Sequence, residues 1–329
     1  MRNSIIAEIG SVHDGSFGNA MKLIEVAAEA GADVVKFQTH IAEAETLRDA
    51  PMPSYFSGEP RFEYFERTGF TLDQWRELKA ACAASGVAFL SSPFSLEAVD
   101  LLEEADVDLY KVPSGEVTNI PLMEKLATTG KPVILSSGMS DWGELDAAVS
   151  SLREGGELIV MQCTSAYPCT PAQVGLNVIG EMAERYKVQT GFSDHTNGFA
   201  AAVGAALMGA DIIEKHLTFS RKMYGSDAAN AMEPADFRRY VDAVREAWIM
   251  RENPVNKDDL TPFADMKRVF QKSIVAKADL PAGHVISVED LAFKKPGDGI
   301  SAADYQSVVG REVLRPLAKD EMIKELDIK

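Results

Sequence analysis

The residues able to do chemistry fall at the ends of short β-branched runs. Glu8 ends the first run; Lys36 and Gln38 end the second, Ser92 the third and Lys111 the fourth, with Ser114 and Glu116 just beyond. Further on come Ser136, then Ser165 and Tyr167, then Ser193, Asp194 and His195, and finally Glu214, Lys215 and His216. Two lysines among serines suit a phosphate or a carboxylate, because ammonium groups supply charge and hydroxyls fill the anion's remaining acceptor sites. His195 and His216 close successive runs, so their imidazoles can meet on one divalent cation with positions left for water and substrate; Mn²⁺ fits that donor set, as do Mg²⁺ or Co²⁺. Competing uses exist for each residue type. Lys111 or Lys36 could act as a Schiff-base amine, and serines at such junctions commonly cap the next helix.

Positioning these residues requires a repeating element. Eight runs read as strands buried on both faces: 5–9, 33–38, 87–91, 108–112, 132–136, 158–162, 189–192 and 211–215. Amphipathic stretches at helical period lie between them, and glycines mark several of the turns. Eight βα units in about 250 residues predict a (β/α)8 TIM barrel, in which strand C-terminal ends converge on one mouth. No Gly-x-Gly-x-x-Gly follows the first strand, which argues against a doubly wound dinucleotide fold. Residues 42–69 read as a long insertion over the mouth, with Pro51, Pro53, Tyr55, Phe56, Phe62, Tyr64 and Phe65. The barrel is expected over 1–250 and a polar linker over 251–265. A small module of short strands and turns follows over 266–329.

Composition narrows the partners. The 329 residues carry 33 Lys+Arg against 50 Asp+Glu, a formal charge of −17, with 46% hydrophobic residues. Such a chain buries a full core, and its acidity argues against nucleic acid or an anionic membrane as the main partner. No stretch approaches the roughly 20 apolar residues of a membrane helix. Cys82, Cys163 and Cys169 lack the even count and spacing of a disulfide framework, so a reducing, cytoplasmic setting is expected.

Seven ordered motifs carry a family resemblance. Ile6-Ala-Glu-Ile-Gly, Ala32-Asp-Val-Val-Lys-Phe-Gln, Tyr110-Lys-Val-Pro-Ser-Gly-Glu and Gly130-Lys-Pro-Val-Ile-Leu-Ser-Ser-Gly-Met come first. Cys163-Thr-Ser-Ala-Tyr-Pro, Gly191-Phe-Ser-Asp-His-Thr and Ile213-Glu-Lys-His follow. In order and spacing they resemble the sialic acid (nonulosonic acid) synthases, and the C-terminal stretch resembles their antifreeze-like (SAF) domain. The resemblance implies condensation of phosphoenolpyruvate with an open-chain N-acyl amino sugar aldehyde, such as N-acetylmannosamine, to give a sialic acid and phosphate. It places Lys36, Ser92, Lys111, Ser114, Ser136, Ser165 and Ser193 on phosphoenolpyruvate and Mn²⁺ on His195 and His216. Gln38, Glu116, Tyr167, Asp227 and Lys295 would face the sugar, and Glu8 and Glu214 would handle protons and water. It also implies a domain-swapped homodimer, in which the small module closes the partner's site.

Two positions depart from the family pattern. His13-Asp14-Gly15 stands where the family commonly has His-Asn-Gly, and Lys295-Pro296-Gly297 where it has Arg-Pro-Gly. A lysine is a point-charge donor and cannot reproduce a planar arginine fork. A diacetamido sugar, leading to a legionaminic- or pseudaminic-type acid, is therefore the alternative substrate.

Overall fold

A computed structural model describes residues 1–51, 58–166 and 169–329. Eight parallel strands close into a barrel in sequential order. They are β1 (Ser4–Gly10), β2 (Val34–Thr39), β3 (Ala88–Pro93), β4 (Tyr110–Val112), β5 (Val133–Ser136), β6 (Leu158–Cys163), β7 (Gln189–Asp194) and β8 (Ile212–His216). The expected TIM barrel is the observed fold.

Strand alternation explains how one sequence fills both faces. Ile5, Ala7, Val35, Phe37, Phe89, Val133, Leu135, Val160 and Ile213 belong to the large core between strands and helices. Ile6, Val34, Leu90, Leu109, Ile134, Ile159 and Ile212 form a separate buried cluster that fills the barrel axis. Two residues further along, the inward positions turn polar on every strand except β6, where Met161 stays in the axial cluster: Glu8, Lys36, Ser92, Lys111, Ser136, Ser193 and Glu214, all buried. The barrel thus has an apolar plug beneath a polar floor.

Helix starts follow local capping rules. Ser16, Thr71, Ser95, Asn119 and Asp141 each accept a hydrogen bond from a first-turn N–H. Capping is therefore the work of these residues, and Ser114, Ser136, Ser165 and Ser193 line a cavity instead.

Three boundaries differ from expectation. The stretch after β2 is not a plain loop, since it contains helices Ala42–Glu45 and Arg61–Thr68; Pro53, Tyr55 and Phe56 lie outside the described residues. The last barrel helix, Pro234–Glu252, passes the expected end at 250 because Arg251 is tied to Asp211 at 2.6 Å. The expected linker also contains a helical turn, Thr261–Phe263, leading into helix Ala264–Phe270.

The chain divides into two compact units, Met1–Asn253 and Pro254–Lys329. The second pairs β9 (Ser273–Ala276) antiparallel with β10 (Leu291–Lys294). Its own core contains Ile274, Leu280, Ile286, Leu291, Val308, Val313, Leu317, Ile323 and Ile328. Within it, Lys295 Nζ lies 5.0 Å from the Phe270 ring centroid.

Candidate active site

A cavity of about 330 Å³ opens above the polar floor. Twelve of the expected site residues line it: Glu8, Lys36, Gln38, Lys111, Ser114, Ser136, Ser165, Ser193, His195, Glu214, His216 and Asp227. They come from strands far apart in sequence, brought together by barrel closure.

At its base lies a buried charge network. Glu214 accepts from Lys36 at 3.0 Å, from Lys111 at 2.8 Å and from the Ser193 hydroxyl at 3.1 Å. Lys36 also sits 3.4 Å from Glu8, whose other oxygen accepts from Gln38 Nε2 at 2.7 Å. The lysines and glutamates, assigned separate tasks from sequence, are thus one system. Burial opposes ionisation of Glu214, but the Lys111 and Lys36 ammoniums outweigh it and hold the carboxyl well below its usual range. Lys36 likewise overcomes burial because both Glu214 and Glu8 face it, and its pKa rises. Lys111 has only Glu214 as a carboxylate partner in this network and feels Lys36 as well, so burial prevails and its pKa falls. An anion entering here meets the two lysines beside one firmly ionised carboxylate.

Glu8 behaves differently. Burial, reinforced by Glu214, pushes it from an ordinary 4.5 to about 7 against the pull of Lys36 and Gln38. Because this value lies above the unfolded one, the stability that protonated Glu8 contributes is fully present below 4.5 and is lost as pH rises through about 7. In thermal melts without added metal, the wild type is expected to lose stability against Glu8→Gln between those values and to run parallel to it above them. Parallel curves throughout would show that Glu8 has an unshifted carboxyl.

The two histidines meet at the cavity wall, ring centroids 5.5 Å apart and planes inclined by 40°. His195 Nδ1 lies 3.0 Å from the Thr164 carbonyl oxygen, which makes it the protonated nitrogen and puts the lone pair on Nε2. Burial lowers His216 from 6.5 to about 4, so its imidazole is neutral at physiological pH. The tautomer of His195 and the neutral charge of His216 suit metal ligation, whereas the burial of His195 is outweighed by Cys163 and the Thr164 carbonyl, which shift it upward. No third His, Cys, Asp or Glu joins them in a metal-binding group among the described residues. Asp194, read from sequence as their neighbour, points out of the barrel, where its carboxylate accepts from Tyr240.

The serines form a hydroxyl wall with Gly138 at its centre. A Cβ at Gly138 would lie 2.4 Å from Ser165 Oγ and 2.5 Å from Ser114 Oγ, so only glycine leaves the two hydroxyls in place. Gly10 does the same for the opposite wall. Its φ is +53°, and a Cβ there would come within 2.4 Å of Asp227 Oδ2.

The remaining site residues fall elsewhere. Ser92 is buried beside Gln38 but is off the cavity wall, its hydroxyl without a hydrogen-bond partner. Glu116 is also off the wall and accepts from Asn119 at 2.9 Å. Lys295 belongs to the second unit, and Tyr167 lies outside the described residues.

Sequence reasoning missed His40, Arg61 and Phe94, which line the cavity. His40 is stacked between Phe65 and Phe94, at 3.7 and 4.1 Å. Its Nδ1 meets Glu45 at 2.8 Å and its Nε2 meets Gln38 Oε1 at 3.1 Å. The signal was the inward series 34, 36, 38, which continues to 40.

A closed eight-stranded barrel whose polar positions converge on a single mouth defines a TIM-barrel enzyme. Residues 23–256 match the NeuB family and 271–329 the SAF domain. The chain belongs to the NeuB family. It is 34% identical to the N,N'-diacetyllegionaminic acid synthase of Campylobacter jejuni, over 98% of each chain. It is 33% identical to human N-acetylneuraminate-9-phosphate synthase, over 98% of this chain and 91% of that one. The crystal structure of an N-acetylneuraminic acid synthetase from Leptospira borgpetersenii in complex with citrate superposes with a TM-score of 0.71 at 27% identity, covering 81% of this chain and 90% of that one.

Proposed function

We propose that the chain is a nonulosonic acid synthase, condensing phosphoenolpyruvate with an open-chain N-acyl amino sugar to give a sialic acid-type product and phosphate. The observation that carries this is the pairing, in one cavity, of a lysine-bearing, hydroxyl-lined floor with two histidines suited to metal. Lys36, Lys111 and the hydroxyls of Ser114, Ser136, Ser165 and Ser193 hold the phosphate and carboxylate. Gln38 and Asp227 lie on the wall that would receive the sugar. A divalent ion such as Mn²⁺ on His195 and His216, when bound, supplies Lewis-acid polarisation of the aldehyde.

The proton work divides by acidity. C3 of phosphoenolpyruvate bonds to the aldehyde carbon, whose oxygen takes up a proton. Water adds at C2 and loses one proton; the C2 hydroxyl so formed gives up its second proton as the C2–O bond to phosphate breaks and C2 becomes a carbonyl, and the departing phosphate takes that proton. Glu8, near 7, is matched to giving and taking these protons at neutral pH. Glu214 is too weak a base for that task and instead keeps both lysines charged and aimed.

The sugar is N-acetylmannosamine on the leading reading and a diacetamido sugar on the alternative. Relatives named for a diacetyllegionaminic acid and for N-acetylneuraminate 9-phosphate are similar at 34% and 33% identity. The homodimer in which the small module reaches its partner and Lys295 as a sugar contact belong to the same proposal and rest on family resemblance, while the cytoplasmic setting rests on the cysteine usage.

The test is phosphate release from phosphoenolpyruvate with Mn²⁺ and a panel of N-acyl amino sugars, with the product identified by mass. Turnover with one sugar and its loss in EDTA is the expected result. Turnover that survives EDTA rejects the metal assignment, condensation of pyruvate in place of phosphoenolpyruvate points to a Schiff base on Lys111, and silence across the panel rejects the synthase.

Gly138→Ala is expected to raise the KM for phosphoenolpyruvate by about 10- to 100-fold, because displacing Ser114 and Ser165 removes hydrogen bonds to a charged ligand. The barrel should melt as before. An unchanged KM would show that the hydroxyl wall does not hold the anion.

A further inference from the structure

A second buried ion pair lies behind the cavity and has no part in the scheme above. Asp194 and Lys215 are cross-strand partners at the ends of β7 and β8. Their side chains are 0% and 1% exposed, sit 3.3 Å apart and do not line the cavity. Asp194 Oδ2 accepts from the Tyr240 hydroxyl at 3.1 Å, and Oδ1 accepts from the backbone N–H of Thr196 at 2.8 Å. Lys215 Nζ donates to the carbonyl of the same Thr196. Both charges therefore grip the residue after His195.

A buried ion pair is no more stabilising than a well-packed apolar pair, and its attested use is to fix register. The surrounding core supplies no other reason for charge, since Tyr240 sits among Phe237, Val241 and Val244. What an apolar pair could not do is hold Thr196 at both its N–H and its carbonyl. The next residue on each strand is a histidine, thrown to the cavity side by strand alternation.

We propose that Asp194, Lys215 and Tyr240 are positioning residues that set the spacing of His195 and His216, and with it the affinity for a divalent cation held between them. The proposal rests on reading those histidines as metal ligands.

The experiment is calorimetric titration of the full-length chain with Mn²⁺ alone, for wild type, Asp194→Asn, Lys215→Met and Tyr240→Phe, beside metal-free thermal melts. Wild type is expected to bind, and the variants to bind about 10- to 100-fold more weakly. Tyr240→Phe removes one hydroxyl without changing shape, so it reports even if the charge variants fail to fold. Lower melting temperatures with an unchanged Kd in Tyr240→Phe and in whichever charge variants fold would make the cluster merely structural and overturn the proposal. A wild type that does not bind Mn²⁺ would overturn the metal reading itself, and this proposal with it.

Discussion

Glu214→Leu is expected to destabilise the barrel by about 3–5 kcal/mol, the usual cost of removing one partner from a buried ion pair. Here the cost falls at the upper end, because one carboxylate serves two ammoniums that are 5% and 1% exposed. Deleting it leaves Lys36 with Glu8 alone, at 3.4 Å, and takes the paired carboxylate away from Lys111. Glu214→Gln keeps the shape and one acceptor oxygen and should lose less stability, while still losing the charge that aims both lysines. Thermal melts of both variants at neutral pH check this. A Leu variant that melts like the wild type would mean that the lysines shed their protons or find other counter-ions, and the charge network would need redrawing.

His216→Ala is expected to behave in the opposite way, with a large loss of activity and a small loss of stability. The imidazole is neutral, held near 4 by burial, so its removal strands no charge. It leaves His195 as the one remaining member of the histidine pair. Lewis-acid stabilisation is worth several kcal/mol, so turnover of phosphoenolpyruvate and amino sugar should fall by about 10³-fold. Elemental analysis should find little Mn²⁺ on the variant. Full turnover by the variant in EDTA-treated buffer would reject the metal assignment.

The barrel was legible because its signal is repeated. Eight short runs alternate with helical stretches, and each inward polar residue follows an inward apolar one by two positions, as Glu8 follows Ile6 and Glu214 follows Ile212. That same parity carried most of the cavity. At the end of β7 the same parity puts Ser193 inside and turns Asp194 outward to Tyr240. Pairing between distant strands was not legible, since nothing local says that Lys36 will share Glu214 with Lys111. His40 was hidden for a related reason. Its environment is made by Phe65 and Phe94, which reach it from two different segments. The helix Arg61–Thr68 was hard to read because it is short and follows a proline-rich stretch.

The apolar plug of Ile6, Val34, Leu90, Ile134, Ile159 and Ile212 seals the axis below the lysines. A chamber closed at one end imposes a queue. Under the proposed assignment, a sugar seated early against Gln38 and Asp227 would lie across the way to the lysine floor. On that assignment of floor and wall, steric access favours the small anion entering first and the sugar second.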